Sequence, residues 1–102
     1  MNVQQLAQAF AERKKGSCHN AKVIIDDEGV ARYILHKSCI ARHFPDGRAW
    51  GHWCGWYTPT TANHLNHIRK ALGVDGRRVG YVWADDHNQG AFDLRDPYPQ
   101  DA

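Results

Sequence analysis

Short β-forming runs separated by tight-turn sequences constrain this chain more than any other feature. Residues 26–29 and 45–47 are turn sequences, because proline fixes φ and glycine permits a positive φ. Lys37 and Ser38 form a tight link or a bulge between two further runs. Consecutive strands joined by such short turns pair antiparallel. The predicted strands are residues 22–26, 30–36, 39–44 and 48–57.

Amphipathic segments on either side of these strands predict two helices. The first covers residues 2–15, with Asn2 as its N-cap and Gly16 as its stop. The second has Thr58 as N-cap, Pro59 at the first helical position and Gly73 after its end. Its buried stripe consists of Thr61, Leu65, Ile68 and Leu72.

The remaining chain adds one or two strands and a tail. Residues 78–84 alternate apolar side chains, and residues 91–94 are a possible last short strand. The whole pattern predicts an α+β fold, with a single antiparallel meander sheet and two helices packed on one face. The length of 102 residues fits one domain, which we place at residues 1–95, followed by a loose tail at residues 96–102.

Composition excludes several classes of protein. No stretch approaches the roughly 20 apolar residues of a membrane span, and residues 1–15 lack the apolar core of a secretory signal. An odd number of cysteines, three, argues against a disulfide framework. We therefore expect a cytoplasmic protein with reduced thiols, in which Cys39 and Cys54 are small buried residues on strands.

Histidines and cysteines raise the alternatives of a zinc site or a catalytic site. Zinc prefers four thiolate or imidazole ligands, but the sequence has no Cys-x2-Cys pair and strand geometry sends neighbours to opposite faces. Cys18-His19 lies in a predicted loop without the pattern of a nucleophile. Asp85-Asp86-His87 could bind a divalent ion or act as acid and base, but it also lies in a predicted loop, where such residues are ordinary turn formers. We expect no catalytic residue, no cofactor and no metal, and metal content would test the zinc alternative.

Four aromatic residues within the predicted strand 48–57 are the most unusual feature. Alternation places Trp50 and Trp56 on one face, and Trp53 and Tyr57 on the other. One pair should lie under the helices, and the other should be at least partly exposed. Exposed aromatics beside arginines anchor protein partners or stack nucleic-acid bases. The nearby arginines are Arg32, Arg42 and Arg48.

The second predicted helix also presents a polar face, which could contact phosphates or an acidic partner. Combining that face with the aromatic strand gives a candidate binding surface. Aromatic anchors would supply affinity and basic groups would steer the partner. The candidate partner-binding residues are Arg48, Trp53, Tyr57, His67, Arg69 and Lys70.

Three stretches resemble a known group of proteins. They are LHKSCIAR at residues 35–42, GWYTPTT at residues 55–61 and HLNHI at residues 64–68. Together they resemble small uncharacterised bacteriophage accessory proteins that share an LHG-x-x-IA, GW-x-T-x-TT and LN pattern over about residues 33–72. Lys37 stands where that pattern often has glycine.

The resemblance implies a non-enzymatic phage or mobile-element protein for host takeover. Such a protein would bind and inhibit a host macromolecular machine, for example a CRISPR or restriction defence complex, in the host cytoplasm. Its partner would be a host protein or ribonucleoprotein complex, with no membrane involved. The alternative is a small nucleic-acid-binding protein that uses an aromatic and basic sheet face, and its binding would weaken steeply with salt.

Overall fold

A computed structural model describes residues 1–56, 58–76, 78–79 and 91–96 of the chain. The strands form one sheet in sequence order, and every neighbouring pair is antiparallel. The predicted α+β class and the meander are confirmed. The elements are α1 (Val3–Ala11), β1 (Gly16–Cys18), β2 (Ala21–Ile25), β3 (Ala31–Leu35), β4 (Ser38–His43), β5 (Ala49–Gly51), α2 (Pro59–Ala71) and β6 (Phe92–Asp93).

Both helices pack on one face of the sheet, which we call the inner face. The Phe10 ring of α1 meets the Tyr33 ring edge to face, with centroids 5.9 Å apart. From α2, Nδ1 of His64 lies 2.6 Å from the Tyr33 hydroxyl. Tyr33 therefore contacts both helices. The inner face is defined by the cross-strand row Val23, Tyr33, Ala41, Gly51 and Phe92.

Small residues on the inner face make room for large ones. A Cβ on Gly51 would lie 2.7 Å from the Phe92 ring and 2.9 Å from Leu94, so glycine permits β6 to close over β5. Ala31 and Ala49 are also fully buried. Trp53 and Tyr33 are the largest of the fully buried side chains in the described part of the chain.

The first helix begins as predicted but ends earlier. The Asn2 side chain accepts from the Gln5 backbone at 2.8 Å, and the Gln5 side chain accepts from the Asn2 backbone at 2.9 Å. The helix ends at Ala11. Arg13 has a positive φ of 53°, the left-handed conformation that ends a helix and that we expected at Gly16. Gly16 instead starts β1, a strand that the sequence did not predict, where its missing side chain leaves room for Met1.

The predicted strand 48–57 is mostly wrong. Only Ala49–Gly51 forms a strand, and the chain then turns sharply. Cys54 and Gly55 both have positive φ values, 54° and 80°, and the Trp56 N–H donates to the Trp53 carbonyl at 2.9 Å. Strict alternation of side chains therefore does not extend beyond Trp53.

The second helix begins and ends as predicted. The Thr58 side chain accepts from the Thr61 N–H at 3.3 Å, and Pro59 opens the helix. Gly73 follows the helix with a φ of 83°. The predicted stripe is buried except at Leu72, which is half-buried.

The last segments are described only in part. The predicted short strand at residues 91–94 is observed as β6. Of the predicted strand 78–84, residues 78 and 79 are described and are not in a strand, and the rest lies outside the described residues. The predicted tail also lies outside them, apart from Asp96.

Candidate binding surface

The face of the sheet opposite the helices, which we call the outer face, has no helix on it in the described part of the chain. Its side chains alternate with those of the inner face along the strands. The exception is β4, where a register shift opposite Tyr33 and Ile34 leaves Ile40 and Ala41 both buried. The central row of the outer face crosses five strands in register and consists of Ile24, Arg32, Arg42, Trp50 and Asp93. A second, shorter row of the same face consists of Lys22, Ile34 and Cys39.

Apolar side chains on the outer face remain open to solvent. Ile24 is 40% exposed and Trp50 is 38% exposed, although both belong to a sheet. Ile34 and Phe44 are half-buried on the same face. Isolated exposed apolar residues are common, but here two exposed and two half-buried apolar residues share one face with no described helix above it.

Positive charge accompanies these apolar groups. Arg42 is exposed and is the cross-strand partner of Trp50. Arg32 is held by Asp26, with a nitrogen–oxygen distance of 3.0 Å. The pKa of Asp26 is lowered chiefly by a hydrogen bond from the Val30 N–H. Lys22 and Arg42 have no carboxylate partner among the described residues, so their charges are available to a ligand.

A cavity of about 660 Å³ opens at the β4–β5 side of the outer face. Its lining is mainly apolar, and Arg42 supplies a positive charge at the same place. The lining side chains include those of Cys39, Phe44, Trp50, His52 and Cys54. A cavity of this kind can accept a side chain of a partner protein.

Two cysteines lie together in this cavity. The Cys54 thiol donates to the Cys39 carbonyl at 3.1 Å, and the Cys54 N–H donates to Nδ1 of His52 at 2.8 Å. Burial raises the pKa of the Cys54 thiol, so the thiol form dominates at neutral pH. Both cysteines are half-buried rather than fully buried as expected, and Cys54 lies in a turn rather than a strand.

Trp53, the predicted aromatic anchor, is fully buried, so its expected exposure is wrong. It shares a face with Ala49, and that face is the one that the helices cover. Among the tryptophans that the structure describes, the exposed ones are the other pair, Trp50 and Trp56. Tyr57 lies outside the described residues.

Arg69 also does not face outward as predicted. It is 3% exposed, and its guanidinium donates to the Leu94 carbonyl at 2.9 Å and to the Asp96 carbonyl at 2.6 Å. Burial lowers the pKa of Arg69. In this position the Arg69 side chain connects the segment after β6 to α2 by hydrogen bonds. Its guanidinium is therefore not available to a partner.

The other predicted site residues do not join into one surface. Arg48 is exposed in the β4–β5 turn, where it contacts Asp46 at 2.8 Å and lies over the Phe44 ring. His67 and Lys70 are on α2, on the opposite side of the sheet from Trp50. There they line a small polar cavity together with Arg78.

Sequence reasoning missed Trp50 and Arg42 as the centre of the exposed face. Alternation separates the two faces of β5, but it does not say which one the helices cover. The available signal was residue size. Ala49 and Gly51 share a face with Trp53, and small residues at a strand centre indicate close approach of another element.

Trp56 is 54% exposed but lies apart from the outer face. Its neighbours around a separate cavity include Leu35, His36 and Thr61. A substitution of Trp56 is therefore a suitable control for a substitution of Trp50, because it removes an exposed tryptophan away from the outer face.

Two further observations concern metals and membranes. Within the described ranges, no three His, Cys, Asp or Glu side chains cluster closely enough to hold a metal ion. Neither of the two described helices is long and apolar enough to cross a lipid bilayer.

Comparison with known proteins gives the origin of the chain. The family model of the Kyanoviridae Gp96 protein matches residues 2–89. The chain belongs to this family. It is therefore a phage protein, which confirms the origin implied by the resemblance, although the family model does not show the particular motif pattern. No curated protein and no solved structure is significantly similar to the chain.

Proposed function

We propose that this member of the Kyanoviridae Gp96 family is a non-enzymatic accessory protein that binds and inhibits a host macromolecular machine. The outer face of the sheet is the binding surface. The observation that carries the proposal is the pairing of exposed Trp50 with exposed Arg42 at the centre of a face with no described helix above it.

The composition of the face suits a protein partner. Tryptophan and arginine are enriched among the residues that dominate binding energy at protein interfaces. Ile24 and Ile34 extend the apolar area away from Trp50, and aliphatic side chains suit a protein surface better than stacked bases. The cavity beside Trp50 offers a place for one projecting side chain.

The charge of the face identifies the kind of partner. Lys22 and Arg42 are exposed there without a described acidic partner, whereas the one carboxylate in the central row, Asp93, lies at the sheet edge. Complementary charges speed association and exclude wrong partners. The expected partner is therefore an acidic protein surface with an apolar residue at its centre.

A nucleic-acid-binding function is the second candidate. It is favoured by the basic side chains of His67, Lys70 and Arg78 around the polar cavity on α2. Phosphate-dominated binding through such groups weakens steeply as salt concentration rises. Capture of the partner with and without nuclease separates this function from the first.

The test is capture of a partner by the tagged full-length chain from a lysate of the host, with and without nuclease. The proposal predicts one protein complex that is retained after nuclease, and that is lost with Arg42→Glu. Lys70→Glu is the matched control, because it makes the same charge change at an exposed position on the other side of the sheet. It should capture the complex as the wild type does.

Three results would contradict the proposal. Equal capture by the wild type and Arg42→Glu would show that the outer face does not bind the partner. Loss of capture on nuclease treatment would transfer the function to nucleic-acid binding. An unchanged activity of the captured complex when purified protein is added in excess would reject inhibition.

A further inference from the structure

We propose that Cys39 and Cys54 are an oxidisable pair that forms an intramolecular disulfide across the outer-face cavity. The pair is a modification site for a low-molecular-weight disulfide such as glutathione disulfide. This inference does not depend on the proposed function, because it concerns the two thiols alone.

The local contacts place the two residues side by side. Cys54 Sγ lies 3.1 Å from the Cys39 carbonyl, and Cys39 Sγ lies 3.4 Å from the Ala41 carbonyl. The His52 N–H donates to the Ile40 carbonyl at 2.8 Å, which holds the chain before Cys54 against β4. The Cys54 thiol is therefore already in contact with the backbone of Cys39.

Access and flexibility also favour the pair. Both cysteines are half-buried and line the same open cavity, so a small disulfide can reach them. Cys54 lies in the turn 53–56 rather than in a strand, and turns adjust more readily than a hydrogen-bonded ladder. Cys18 is buried in β1 and does not line this cavity.

The reaction proceeds by two exchanges. The thiolate of one cysteine attacks a sulfur of glutathione disulfide, which gives a mixed disulfide and releases one glutathione thiolate. The second cysteine, after losing its proton, attacks the protein sulfur of that mixed disulfide and releases the second glutathione. Overall the pair loses two electrons and two protons, and one glutathione disulfide becomes two glutathione molecules.

The electrostatics of the pair set its rate. Burial and the neighbouring Cys39 both raise the pKa of Cys54. Because only the thiolate is nucleophilic, the reaction should be slow at neutral pH and faster in mildly alkaline buffer. The bond would close the loop of residues 39–54 and so join the turn after β5 to β4.

The test treats the purified full chain with glutathione disulfide, alkylates the remaining thiols and maps tryptic peptides by mass spectrometry. Trypsin cuts after Lys37, Arg42 and Arg48, which separates all three cysteines. Cys18 falls in peptide 16–22, Cys39 in peptide 38–42 and Cys54 in peptide 49–69. A disulfide lowers the mass by about 2 Da and is reversed by dithiothreitol.

The proposal predicts that free thiols fall from three to one, with peptides 38–42 and 49–69 linked and Cys18 still alkylated. Cys18→Ala should form the same link. Cys54→Ser should give only a glutathione adduct at Cys39. Three free thiols, adducts without the link, or dimers between chains in the wild-type protein would each overturn it.

Discussion

The Tyr33 hydroxyl lies 2.6 Å from Nδ1 of His64, and this hydrogen bond joins the centre of the sheet to α2. Both residues are buried, and burial raises the pKa of Tyr33 and lowers that of His64. The pair is therefore neutral in the folded protein. It is one of the contacts that hold α2 against the inner face.

Stability should fall as the solution becomes mildly acidic. Burial is the largest cause that lowers the folded-state pKa of both His43 and His64. Arg95 and Arg13 lower that of His43 further, and His67 and His36 lower that of His64. The unfolded chain, with histidine near pKa 6.5, then binds more protons than the folded chain below about pH 6.5.

The free energy of unfolding should accordingly be constant between about pH 7 and pH 8 and fall from about pH 6.5 towards the folded-state pKa values, by about 1.4 kcal/mol per unit of pKa separation. Urea unfolding at several pH values measures it. His64→Gln should flatten the slope, because it removes one of the two histidines with a lowered pKa. If the urea midpoint of the wild-type protein did not change with pH, the folded protein would not be holding His43 and His64 in the neutral form.

The two tryptophans of the β5 region should differ sharply in their effect on stability. Trp53→Ala removes a fully buried ring and should cost about 3–5 kcal/mol of unfolding free energy. Trp50→Ala removes a partly exposed ring and should cost less than about 1 kcal/mol. Thermal or urea unfolding compares them, and similar losses would mean that the faces of β5 are assigned wrongly.

Arg69 should act on stability rather than on binding. Arg69→Ala leaves the Leu94 carbonyl without its donor and should cost about 1–3 kcal/mol. Lys70→Ala, at the adjacent exposed position, should change stability by less than about 0.5 kcal/mol. Denaturant unfolding of both variants would measure this contrast, and a stable Arg69→Ala protein would return Arg69 to the candidate surface residues.

The absence of a side chain at Gly51 should be essential for β6 to pack against β5. Gly51→Ala places a Cβ 2.7 Å from the Phe92 ring and should cost about 1–3 kcal/mol by overpacking. Phe92→Leu in the same chain should recover part of that loss, because it shortens the opposing side chain. A double-mutant cycle on unfolding free energies measures the coupling, and strictly additive losses would argue against the contact.

The sequence predicted the elements that depend on local chemistry. Asn2 with Gln5, and Thr58 with Pro59, mark helix starts because their side chains or rings satisfy the first turn directly. The glycine-containing turns gave the meander. The end of α1 was missed because Arg13 adopts a left-handed conformation that its residue type does not favour.

The candidate site was harder to predict because it depends on tertiary packing. Alternation alone could not decide whether Trp50 or Trp53 faces the helices, since both are large and apolar. Arg69 looks like a surface cation in the sequence, and only the folded chain brings the Leu94 and Asp96 carbonyls to it. Cys54 was placed on a strand because the turn at residues 54 and 55 uses positive φ at a non-glycine residue.

The most direct measurement is the affinity of the captured partner, once purified, for Trp50→Ala and Trp56→Ala. Trp56 is the more exposed of the two rings but lies off the outer face. We expect Trp50→Ala to weaken binding by about 30-fold or more, the effect of a central interface residue, and Trp56→Ala to bind as the wild type does. Equal losses, or a loss only with Trp56→Ala, would contradict the outer face as the binding surface.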